Sequence, residues 1–169
     1  MRATILVGLL LVVGCGSNTT IDTVSNYDES YDFSGKRTYA WIEKELEDVL
    51  PSNMPDAAAS DRLIRELFDL YLDDIGFTKA DNPDFHLGYW IQIQDRVDKG
   101  PYDTEISGWT GDWYSDRYKK GGLVLDVVDA KTKDHVWRGA ALLDFRPGEG
   151  KKLLEPAINK LLADFPPKN

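Results

Sequence analysis

Few side chains in this 169-residue chain could do chemistry, and their spacing limits what that chemistry could be. Cys15 is the single cysteine, so no intrachain disulfide can form and no cysteine-based metal site is available. His86 falls in a strand-like run and His135 near a turn, a spacing that does not ask for zinc. Both read as packing histidines. Asp126 is the carboxylate of most interest, because it sits between Val124 and Val128 in an apolar run. A structural ion pair with Arg138 in the following run is the simple reading, and ligand contact is the alternative. Asp95, Asp98, Asp103, Asp112 and Asp116 have neither the spacing of a calcium loop nor that of a paired-carboxylate glycosidase site. Gly121-Gly122 precedes a strand rather than a helix, so it is not a phosphate-binding loop. The expectation is no catalytic residue, no metal and no cofactor: the chain reads as not an enzyme.

The aromatic residues offer a different chemistry. Tyr102, Trp109, Trp113, Tyr114 and Tyr118 cluster among Asp and Gly between residues 99 and 120. Such a segment can stack on a sugar or grip a peptide, which makes these five the candidate ligand or partner contacts. The competing reading is that they cover one face of a sheet.

The start of the chain says where the protein is delivered. Arg2 is followed by Ile5 to Val13, apolar apart from Gly8. That run is too short to span a bilayer but suits the core of an export signal. It ends Val12-Val13-Gly14-Cys15, which resembles the lipobox of bacterial lipoproteins. There small residues precede the cut and the cysteine behind it takes a diacylglycerol group. The resemblance implies a signal peptide over 1–14, an acylated Cys15 and a lipid-anchored tether over 15–20. Several acyl chains, each adding about 0.8 kcal/mol per buried methylene, would anchor it stably. Residue 16 is Gly rather than Asp. By the same resemblance this implies an outer-membrane lipoprotein facing the periplasm, with the bilayer as its first partner.

Loss of residues 1–14 removes Arg2 and takes the formal charge from −9 to −10. Nucleic acid and anionic headgroups would repel such a surface, so no nucleic-acid partner is expected. The 155 residues left are enough for one domain with a real core.

The elements follow from periodicity. Ile21 to Tyr27 reads as a short strand, as does Arg37 to Ile42. Glu43 to Pro55, acidic and containing proline, reads as mostly loop. Asp56 to Ile75 has the strongest helical pattern, with Leu63, Ile64, Leu67, Phe68, Tyr71 and Ile75 on one stripe and Gly76 as its stop. Its opposite face, with Asp61, Arg65, Glu66 and Asp69, reads as solvated. Phe77 to Lys79 is a short strand candidate and Asp84 to Val97 a long one. Gly121 to Leu143 holds the clearest signal, two strand-like runs joined by a polar turn, with Asp129 placed to hold that turn. The last helix reads most simply as starting at Pro156, because proline in a helix interior costs about 3 kcal/mol. These elements predict an α+β two-layer sandwich: a mixed or mainly antiparallel sheet of about five or six strands, with two main helices on one face.

Several stretches also resemble a known family. They are Tyr27 with Asp32-Phe33-Ser34, Thr38-Tyr39-Ala40-Trp41, Gly76-Phe77 and Asp84-Phe85. The most specific runs from Gly122 to Thr132 and on into Val136-Trp137-Arg138-Gly139, with Phe165-Pro166-Pro167 at the end. They are similar to the DUF4136 domain of bacterial lipoproteins, a domain of unknown function. The resemblance implies one α/β domain over 21–167 with helices on one side of its sheet, and no established activity. The functional expectation is a membrane-anchored periplasmic lipoprotein with a non-enzymatic structural or protein-interaction role, its partner another envelope protein. The alternative is a binding module for a small envelope glycan or lipid that uses residues 99–120.

Overall fold

The computed structural model describes residues 21–52, 54, 56–92, 122–143 and 150–168. In chain order the elements are β1 (Ile21–Tyr27), β2 (Thr38–Trp41), α1 (Leu46–Val49), α2 (Ala57–Asp74), β3 (Thr78–Lys79), β4 (Phe85–Gln92), β5 (Gly122–Asp129), β6 (His135–Leu143) and α3 (Gly150–Leu161). The strands form one six-stranded mixed sheet in the order β1-β6-β5-β4-β2-β3. Pairs β1/β6, β5/β6 and β4/β5 are antiparallel. Strand β2 runs parallel to both β4 and β3. The architecture is the predicted α+β sandwich.

Strand β5 is buried on both faces over its whole length. Its run of Val and Leu, rather than strict alternation, is what a central strand requires. The register sorts the two faces. Phe85, Leu87 and Tyr89 of β4 lie beside Asp129, Val127 and Leu125 of β5. Val127 and Leu125 in turn lie beside Trp137 and Gly139 of β6. Both long helices pack on this face. From α2, Phe68 meets Trp41 and Tyr89, with ring centroids 5.8 and 6.4 Å apart. From the end of the chain, Phe165 lies 5.1 Å from Trp137.

Helix α2 is capped by Asp56, which is left-handed (φ 48°) and accepts a hydrogen bond from the Ala59 amide at 3.3 Å. It stops at Gly76 (φ 89°), where the Phe77 amide donates back to the Leu72 carbonyl at 2.8 Å. A left-handed residue at that position is what glycine makes inexpensive. The face carrying Asp61, Arg65 and Asp69 is not merely solvated, as its charge suggested. Tyr89 Oη donates to Asp61 at 2.6 Å. Tyr39 Oη and Trp41 Nε1 donate to Asp69 at 2.7 and 3.0 Å. Arg65 lies 5.3 Å over the Trp41 ring. These three residues flank the buried stripe Ile64, Phe68, Leu72 and bolt the helix to polar tips on the sheet.

The stretch 43–55, read as mostly loop, includes one turn of helix, α1, which buries Val49 and the following Leu50. One further expectation is corrected. Helix α3 begins at Gly150 and runs through Pro156 instead of starting there. The hydrogen bond that proline forfeits would end on the Lys152 carbonyl, and Lys152, Glu155 and Pro156 are all exposed. Water can satisfy that carbonyl. Leu153 and Leu154, one turn before the proline, pack on the core alongside buried Ala157 and Ile158. That apolar stripe stays in phase only if the helix continues.

Candidate functional site

The hairpin of β5 and β6 positions the only fully buried charges among the described residues. Asp126 and Arg138 are register partners and are 0% and 1% exposed. Arg138 donates to Asp126 through Nε and through Nη2 at 3.0 Å, a two-pronged pair that fixes the guanidinium plane. The other side of the guanidinium faces Trp90, with Cζ 5.0 Å from the ring centroid. The pair lies on the sheet face away from α2 and α3.

A bulge between Val127 and Val128 sets Val128 opposite His135. Simple alternation puts His135 on the helix side with Trp137. The bulge carries it to the Asp126 side instead, with Nδ1 3.6 Å from the carboxylate. Sequence reasoning missed this neighbour because a bulge does not show in a two-residue period. A carboxylate, a guanidinium and an imidazole thus meet, yet Asp126 is committed to Arg138. No group of three or more His, Cys, Asp or Glu able to hold a metal occurs among the described residues.

Two further carboxylates at strand ends, the buried Asp129 and the half-buried Asp84, are committed too. Asp129 accepts from the amides of Lys131 and Thr132, both at 2.8 Å, from Tyr31 Oη and from Lys36 Nζ at 3.2 Å. Burial by itself would raise its pKa, but these donors outweigh that and hold the carboxyl well below the usual range. Burial, and then the bond to Asp129, pushes Tyr31 up to about 12. Asp84 accepts from the Arg37 and Thr38 amides at 2.8 and 2.9 Å and from Thr38 Oγ1 at 2.8 Å, which ties the start of β2 to β4.

Two cavities complete the geometry. A recess of about 670 Å³ lies between β1, the turn after it, and the end of the chain. Tyr27, Phe33, Trp137 and Phe165 wall it, with Arg37 and Asp164 at its polar side. Three of the stretches that carry the family resemblance meet here: Tyr27 with Asp32-Phe33-Ser34, the run holding Trp137, and Phe165-Pro166-Pro167. The rings mainly pack on one another: Phe33 and Phe165 centroids are 6.3 Å apart and nearly perpendicular. A smaller cavity of about 220 Å³ lies between α2 and α3, over the ends of β4, β5 and β6. Cys15 and the five aromatic candidates Tyr102, Trp109, Trp113, Tyr114 and Tyr118 lie outside the described residues.

The model of the DUF4136 family, "Domain of unknown function", matches residues 23–167. The chain belongs to that family. Its fold is similar to part of a PDZ domain protein from Parabacteroides distasonis ATCC 8503, with a TM-score of 0.56 at 13% identity, covering 89% of this chain and 37% of that one. It is also similar to PelC from Paraburkholderia phytofirmans, solved as a dodecamer, with a TM-score of 0.52 at 11% identity over 89% of this chain and 100% of PelC. A variant PelC dodecamer gives 0.50 at 12% identity over 85% and 95%. At these identities the likeness is one of fold. No curated protein matches the sequence.

Proposed function

We propose that this protein is a lipoprotein of the bacterial envelope, held by acylated Cys15 at the periplasmic side of the outer membrane, with a non-enzymatic role in protein interaction. The observation that carries the reading is the leader ending Val12-Val13-Gly14-Cys15, six residues before β1 opens the fold. Among the described residues β1 is the edge strand of an open sheet. A seven-residue edge offers backbone donors and acceptors to a partner strand. The commitment of Asp61, Asp69, Asp84, Asp126 and Asp129 to structural bonds supports a domain built for shape rather than acid–base chemistry. PelC, of similar fold, assembles as a dodecamer, which fits a fold used for association.

The test has two parts. Mass spectrometry of protein from cells should find residues 1–14 removed and Cys15 acylated, and Cys15→Ala should release the protein from membranes. Crosslinking in solubilised membranes should then trap a protein partner, or a second copy, through β1. A leader still attached rejects the anchor. Capture of glycan or lipid alone rejects the protein-interaction role.

A further inference from the structure

The smaller cavity does not follow from the interaction role. A half-open recess of about 220 Å³ lies between α2 and α3, roughly seven waters' worth of liquid volume, and many of its lining side chains are only half-buried. Its walls include Ala59, Leu63, Ile91, Leu123, Leu143 and Leu154. Ser60 supplies the one side-chain hydroxyl among the described lining residues. Water needs two to four polar partners to settle firmly, so a recess with so few side-chain polar groups favours an apolar guest over ordered water.

The position of the cavity indicates which guest. Leu143 lines it, and Leu143 is the register partner of Ile21, the first residue of β1. Ile21 is six residues from Cys15, a distance of at most about 20 Å of extended chain. On the anchor reading above, on which this step rests, Ile21 lies within that distance of a bilayer, and the cavity borders the strand beside it. We infer that the α2/α3 cavity takes part of one long acyl chain of a membrane lipid. The guest contributes alkyl carbons to a space that no described side chain fills, and its headgroup stays outside.

Full-length protein carrying Cys15→Ser, which has no acyl group of its own, should bind one palmitate per chain by native mass spectrometry. Ala59→Phe and Ser60→Leu, each made in that background, project new carbon into the cavity from α2. Each should weaken palmitate at least tenfold while the thermal midpoint holds or rises. Should Ala59→Phe fail to fold, Ser60→Leu still decides. Undiminished binding in a folded filled variant, or no palmitate bound at all, overturns the proposal. A second arm fixes the source: acylated wild-type protein on phosphatidylethanolamine vesicles with a photoreactive acyl chain should crosslink at Leu63 or Leu154. Absence of that crosslink, with palmitate still bound by Cys15→Ser, would give the cavity to the protein's own acyl group and overturn the assignment. Finding Cys15 unmodified in cells would defeat the anchor reading and leave the palmitate result standing.

Discussion

Asp129 ties two pieces of chain together: the hairpin turn through Lys131 and Thr132, and the segment after β1 through Tyr31 and Lys36. Its pKa is lowered in the folded state, so its contribution is fully present above the unfolded carboxylate value of about 3.9. It is lost as pH falls through the lower folded value. Asp129→Asn should therefore cost on the order of 2 kcal/mol at neutral pH, the range for hydrogen bonds to charged groups. In urea titrations across pH, the gap from wild type should be flat above about pH 5 and narrow below about pH 4, because the variant lacks the titrating group. Asp126 behaves differently, because its partner is buried with it. Asp126→Asn leaves Arg138 uncompensated in the interior and should cost about 3–5 kcal/mol, whereas replacing both residues with Leu and Met should recover most of that loss. Equilibrium unfolding of the two variants checks the contrast. The Asp126–Arg138 partnership is readable from sequence, since an isolated charge in each of two adjoining strands needs an opposite charge nearby. The place of His135 is not, since it depends on one extra residue in a strand.

At the scale of elements, the closest fit is where β6 passes under α3. A Cβ built on Gly139 would lie 2.2 Å from the Trp137 ring and 2.8 Å from Leu161 Cδ1. Both neighbours are themselves packed, Trp137 against Phe165 and Leu161 in the core. Gly139→Ala should destabilise by at least about 1–3 kcal/mol, the usual cost of overpacking, even though alanine suits a strand better than glycine does. A lowered thermal midpoint with unchanged far-ultraviolet dichroism would report it. Strands β5 and β6 and helix α2 were legible because each repeats its period over several turns or residues. Helix α3 was not. Its start depends on whether the bond lost at Pro156 faces water, and that is settled by the sheet beneath it rather than by its own residues. The charged face of α2 misled for the same reason: Asp61 and Asp69 look like solvated residues until Tyr89, Tyr39 and Trp41 are seen above them.

At the scale of the molecule, the sheet combines local and distant pairing. Strands β5 and β6 are joined by a tight turn, with the Asp129 amide donating to the Asp134 carbonyl at 2.9 Å. Strand β1, first in sequence, completes the sheet only against β6, with Ile21 beside Leu143 and Tyr27 beside Trp137. Contacts so far apart along the chain form late, after local ones have reduced the cost of closing the loop. On the export proposed above, a chain threaded through a translocation pore from its amino end would deliver β1 long before that strand has anything to pair with. The sheet would stay unfinished until Leu143 had emerged, and a chain kept open in this way would be slack enough for a processing enzyme to work near its beginning.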